Sequence, residues 1–354
     1  ISKFYAISYN DLAMVKLKPI KYIYDTIHFN LKNNGIFTLT QQKKSEPVVV
    51  AALYQFRELP DVRRIREPLL DLCIELQLRG TLLLAHEGIN GTVAGSRTAI
   101  SELKVHLENV LGFDQLEYKE SYFSEPPFHR MKVKIKKEIV TLGITGVNPH
   151  QHSGKRLRSK EWNALINDPE VVILDTRNQY EVDIGTFKNA ISPNTETFRE
   201  FPDYVAQNLD PEQHSRIAMF CTGGIRCEKA SSYLLSQGFE EVYQLDGGIL
   251  RYLEDVQQQD TENLWQGDCF VFDSRVSVDE NLTKGQYQQC FACRRPITQQ
   301  DMLSPKYEQG VSCPKCYDIH DDEKRNRFAE RQRQVELAEK RGTFHIGNPH
   351  NTNS

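Results

Sequence analysis

No run of this chain approaches the roughly 18–20 consecutive apolar residues that a membrane helix needs, so no membrane partner is implied. The basic start, apolar block and small-residue cleavage site of a secretory signal are missing too, and a cytoplasmic location is expected. Charge of one sign is not in excess: with a formal net charge of −4, the whole-molecule field does not advertise nucleic acid binding. There is no flavin or nucleotide motif and no two-His-one-carboxylate cluster for iron. A disulfide framework is disfavoured as well. Eight cysteines make an even number, but their grouping and the expected compartment argue against pairing.

What is present divides into segments, and 354 residues suit two or three folded units. Residues 1–46 are rich in Lys, Asn, Ile and Tyr without a period. They read as a poorly defined N-terminal extension, and an opening Ile rather than Met points to a misassigned start. From Pro47 the pattern strengthens. Strands are expected at Val48–Phe56, Thr81–Ala85, Thr92–Ala94, Met131–Ile135 and Ile139–Leu142, with helices at Val62–Leu78 and Arg97–Leu111. That is a ferredoxin-like (βαββαβ), acylphosphatase-like unit over 47–147. A basic linker, Asn148–Arg158, leads into 148–264, where apolar strands alternate with helices as in a parallel α/β sheet. The overall class is α/β and α+β, multidomain. A small cysteine module over 265–320 follows, then a charged helix and disordered tail over 321–354, the helix carrying seven Lys/Arg against six Asp/Glu within 321–341.

Cys221 directly follows an expected strand, Ile217–Phe220, and opens the run Cys221-Thr222-Gly223-Gly224-Ile225-Arg226. In parallel sheets, function sits at such carboxyl ends. A helix expected to begin near Cys227 or Glu228 aims its free N–H groups at the loop. Two glycines let successive N–H groups converge on an anion, and Arg226 adds a cation. All three lower a thiol pKa, so Cys221 is expected to be a thiolate nucleophile. Cys227 reads either as a resolving thiol or as a buried residue of the first helical turn. Cys73 and Cys269 read as small buried hydrophobes.

The loop resembles that of rhodaneses, as do Leu174-Asp175-Thr176-Arg177 with Glu181 and Gly185, and Asp246-Gly247-Gly248-Ile249 with Tyr252 where many members have tryptophan. Asp175 and Arg177 are then expected to support the scaffold near the loop. Thr186 departs from the histidine often found there. A loop of six residues is the sulfur-handling length, one residue shorter than in the related phosphatases. Together with Ala85-His86-Glu87-Gly88-Ile89-Asn90 and Arg130-Met131-Lys132-Val133, the motifs resemble the bacterial TrhO family over about residues 47–320. The resemblance implies a tRNA-modifying oxygenase, with molecular oxygen as co-substrate and Cys221 essential, that converts the wobble uridine of certain tRNAs to 5-hydroxyuridine. It implies the tRNA anticodon region as partner and no protein partner. A persulfide sulfurtransferase and a non-catalytic RNA-binding protein are the competing readings.

Cys290-x-x-Cys293 and Cys313-x-x-Cys316 have the spacing of a closed structural zinc site; redox dithiols are the alternative. His86, Glu87 and Asn90, expected in a turn between strands, and Arg130 and Lys132 are possible RNA or base contacts. So are the Lys132–Lys137 strand and the Lys155–Lys160 patch.

Overall fold

The computed structural model describes residues 47–259 and 261–343; the expected extension over 1–46 and most of the expected tail lie outside them. The first unit runs β1 (Val48–Phe56), α1 (Val62–Glu75), β2 (Arg79–Ala85), β3 (Gly88–Gly95), α2 (Arg97–Asn109), β4 (Glu117–Phe123) and β5 (Met131–Ile135). The β-branched and aromatic run of β1 suits the centre of a sheet, and the strands lie in the order β4-β1-β3-β2-β5. All neighbours are antiparallel except β2 and β5. One face buries Val49, Ala51, Leu53, Leu82, Leu84, Ile89 and Val93 under the two helices. Strand alternation sends Val50, Ala52, Tyr54, Leu83, Asn90, Thr92 and Lys119 to the other.

Three expectations change here. The βαββαβ unit closes with β4, so Met131–Ile135 is an added edge strand and Ile139–Leu142 is irregular. The hairpin turn is His86-Glu87, between the paired Ala85 and Gly88. Asn90-Gly91, a turn signal by composition, therefore lies within β3, where Gly91 fits because a Cβ would stand 2.2 Å from Thr81 O.

The second unit contains β6 (Lys155–Leu157), α3 (Ser159–Ile166), β7 (Val172–Asp175), α4 (Gln179–Val182), β8 (Gly185–Phe187), α5 (Phe201–Asn208), β9 (Arg216–Phe220), α6 (Ile225–Ser236), β10 (Glu241–Leu245) and α7 (Gly248–Gln259). Strands β6-β10-β9-β7 form a parallel sheet. The supposed linker thus supplies a strand. Its basic patch is partly neutralised: Arg156 pairs with Glu117 and Glu228, both at 2.6 Å, and Arg158 with Asp255.

The chain continues through β11 (Trp265–Gly267), β12 (Cys269–Phe270), β13 (Ser277–Val278), β14 (Gln288–Gln289), β15 (Pro296–Ile297), α8 (Gln299–Met302) and α9 (Asp322–Lys340). The expected boundary at 264/265 does not separate cores. β11 pairs with β8, and Trp265, Cys269, Val271 and Val278 pack into the second unit. Cys290, Ile297, Cys313 and Cys316 have a small core of their own. Among the described residues, no helix is long and apolar enough to cross a membrane.

Candidate active site

Cys221 follows the carboxyl end of β9, and α6 begins four residues later, earlier than expected. The early start has a cause in Gly224, which caps the helix at φ +98°, a region that disfavours any side chain with a Cβ. Gly223 has no positive φ, so only the second glycine of the pair is required on that ground. The amide N–H of Gly224 donates to Cys221 Sγ at 3.1 Å.

Burial opposes ionisation of Cys221, which is 1% exposed. The Cys227 thiol, the Arg226 guanidinium and the N–H groups of Cys227 and Arg226 outweigh it and hold the Cys221 pKa well below that of an ordinary thiol. Cys227 moves the opposite way: burial, then the neighbouring Cys221 charge, keep its proton on. It is fully buried and lies 3.6 Å from Thr176 Oγ1. The pair therefore behaves as one thiolate with one thiol donor.

Arg226 is not a loose cation. Its guanidinium forks onto the buried Glu181 at 2.6 and 2.8 Å, while Thr222 Oγ1 lies 3.4 Å from the same carboxylate. Asp175 and Arg177 form a second buried pair: Arg177 Nε donates to Asp175 at 2.8 Å and its Nη2 to Gly185 O at 2.6 Å. Thr186, in place of histidine, donates to Asp175 at 2.9 Å, so the departure from the pattern is absorbed by the scaffold. A second helix braces the loop. Ile249 N and Leu250 N donate to Cys221 O and Thr222 O at 3.0 and 3.2 Å.

A cavity of about 750 Å³ opens on Cys221 and the loop to Arg226, and its other wall is the helix-free face of the first sheet, including Tyr54, Asn90 and Lys119. That volume lies within the usual range of small-ligand sites, about 300–1,000 Å³. Lys119 Nζ donates to Gly223 O at 3.0 Å; burial, then Arg251, lower its pKa to about 8. Composition and spacing did not reveal Lys119, because the strand that carries it reads as a polar stretch.

Of the expected RNA-contacting residues, Asn90 lines the cavity and donates to Ile139 O at 2.8 Å. Glu87 is committed to the Ile139 N–H and to Lys229 of α6, at 2.6 and 2.8 Å. His86, Arg130 and Lys132 do not line the cavity. The Sγ atoms of Cys290, Cys293, Cys313 and Cys316 lie within 4.8 Å of one another, with close pairs at 3.7, 3.8 and 4.0 Å. Zinc–sulfur bonds of about 2.3 Å in a tetrahedron put sulfurs about 3.8 Å apart. The four cysteines can thus hold a metal such as zinc.

Comparison with known proteins agrees with the two main units. The model of the UPF0176 acylphosphatase like domain matches residues 48–139, and that of the Rhodanese-like domain matches 159–255. Similar solved structures include a rhodanese-like domain from Anabaena sp (19% identical, 32% of this chain and 78% of that one, TM-score 0.27). Others are a rhodanese-like domain protein from Staphylococcus aureus (24%, 28% and 90%, 0.24) and an acylphosphatase from Coxiella burnetii (19%, 26% and 98%, 0.21).

Proposed function

From the premise that this chain belongs to the TrhO/UPF0176 family, whose architecture is an acylphosphatase-like domain followed by a rhodanese domain, we propose that it hydroxylates the wobble uridine of certain tRNAs to 5-hydroxyuridine with molecular oxygen. The observation that carries this reading is the roofed cavity of about 750 Å³ over a thiolate. Passing one sulfur atom to a small acceptor needs far less enclosed space. A nucleobase splayed from the anticodon loop needs such a pocket.

The chemistry follows from what a thiolate does to uracil. Cys221 Sγ bonds to C6, and the electron pair of the C5=C6 bond moves onto C5 and the O4 carbonyl. Lys119, ordinarily protonated below about pH 8, supplies positive charge in the same cavity. C5 then bonds to one atom of molecular oxygen, and the O–O bond is reduced by an external dithiol. Loss of the C5 proton expels the thiolate. Uridine, oxygen and two thiols become 5-hydroxyuridine, water and a disulfide, so atoms and electrons balance. The module holding the four cysteines has the closed ligand set of a structural site, and no step is assigned to it.

A persulfide sulfurtransferase is the second reading, favoured by the N–H donors around Sγ, which suit an anionic sulfur. Nucleoside analysis of bulk tRNA from cells lacking the gene separates the two. Loss of 5-hydroxyuridine derivatives is expected, restored by the wild-type gene and not by Cys221→Ser. Loss of thiolated uridines instead overturns the oxygenase reading, and full hydroxylation by Cys221→Ser overturns the role of the thiolate.

A further inference from the structure

Phe272 is a large apolar side chain left 60% exposed, yet it lines the cavity that Cys221 opens into. The hairpin that carries it is unusually constrained. Val271 N donates to Val276 O at 2.9 Å and Val276 N to Asp273 O at 3.1 Å, closing a tight turn. Val276 sits at φ +66°, a conformation costly for a β-branched residue, and such strain collects at functional positions. The turn is strapped from outside as well. Arg275 forks onto Asp273 and donates through Nη1 to Ser121 Oγ of β4 at 2.7 Å. Ser274 N donates to Pro127 O at 3.3 Å. The ring itself packs edge-on against the buried Phe270, with centroids 5.1 Å apart. The Arg226 guanidinium, at the end of the Cys221 loop, stands 6.0 Å from its centroid.

A fold does not strain a backbone and tie it to a neighbouring domain in order to leave a phenyl ring in water. Resting on the RNA reading above, we propose that Phe272 is a base-stacking residue, holding the extruded nucleobase in the cavity beside Cys221. An aromatic face suits this task because every base has a π surface, and a ring fixed in advance costs no ordering on binding. The specificity of the site then lies partly in the segment after the rhodanese sheet, which composition alone assigned to the cysteine module.

The test uses full-length protein and a fluorescent anticodon stem-loop RNA carrying either uridine or an abasic ribose at the wobble position. Phe272→Ala is expected to weaken binding of the uridine RNA by about ten-fold and to leave the abasic RNA unchanged. Phe272→Trp is expected to keep the affinity, whereas Phe272→Leu, apolar but not aromatic, behaves as Phe272→Ala. Equal loss on both RNAs, or a fully active Phe272→Leu, overturns stacking by Phe272 while leaving the RNA reading intact. If the wild-type protein binds neither RNA, the RNA reading fails and the inference with it. Urea unfolding midpoints, measured alongside, are expected to stay close to wild type in all variants, because the ring is 60% exposed; a large drop in Phe272→Ala points to damage of the hairpin and overturns the assignment.

Discussion

The reactivity of Cys221 is decided by groups within a few ångströms, and burial alone is on the wrong side. A thiol 1% exposed with no partners would hold its proton, as Cys73 does, where burial alone pushes the pKa up to about 12. At Cys221 the Cys227 thiol, Arg226 and converging N–H groups reverse the outcome. Because the pKa is depressed, the thiolate persists at pH values where a free thiol is mostly protonated, and is lost only as pH falls through the lowered value. Alkylation by iodoacetamide, followed by mass spectrometry of the Cys221 peptide, should therefore proceed at a nearly constant rate from neutral pH to pH 9. A rate climbing about 25- to 50-fold between pH 7 and pH 9, as expected for a thiol with its pKa near 8.5–9, would show that the proton is held after all.

At the scale of elements, the loop depends on two helices meeting at glycines. Gly248 opens α7 at φ +68°, and a Cβ there would lie 2.4 Å from Cys221 O and 2.7 Å from Gly224 N. Gly248→Ala is expected to cost about 1–3 kcal/mol from backbone strain alone, with the clash added. Urea unfolding should report the loss, and Cys221 alkylation should slow at neutral pH as the N–H groups lose their aim. A stable variant with unchanged alkylation would mean the loop does not need this approach. The Cys221 run was legible in the sequence, because apolar packing has no use for consecutive glycines, nor for an arginine close behind a cysteine that ends a strand; the Gly247-Gly248 pair was legible only through its resemblance to the rhodanese pattern. The paired Cys-x-x-Cys spacings were legible because four thiols so grouped suit one tetrahedral ion. Strand β4 was not: Glu-Tyr-Lys-Glu-Ser-Tyr-Phe has no apolar alternation, since Val48–Tyr54 of β1 is its partner on one side and ion pairs such as Arg97–Glu120 cover its charges. With β4 hidden, Lys119 and the cavity wall were hidden too. Asn90-Gly91 misled in the other direction, because a turn dipeptide also suits a strand where two backbones approach closely.

The cavity lies between two domains that face one another, and ion pairs join them on both sides. Glu117 of β4 reaches Arg156 of β6 and Arg251 of α7 at 2.6 and 3.2 Å. On the other side Lys229, 2% exposed, joins Glu87 of the β2–β3 turn to Glu138 in the connecting segment. Glu138 also accepts the Leu142 and Gly143 N–H groups. The histidine-glutamate turn that marked the family by resemblance is therefore, at Glu87, an interdomain fastener. Lys229→Met removes the shared cation and leaves two carboxylates facing one another. Breaking a fully buried pair costs about 3–5 kcal/mol; with both carboxylates partly in water the expected loss is about 2 kcal/mol. Replacing all three charges, as Lys229→Met with Glu87→Gln and Glu138→Gln, should recover part of it, because no uncompensated charge remains. Urea unfolding midpoints of the two variants check the energetics. Cys221 alkylation checks the consequence for the site: the single variant should react faster than wild type as the roof loosens, and the triple variant less so. If Lys229→Met matches wild type in both measurements, the domains are held by their apolar contacts and the ion pairs are incidental to the cavity.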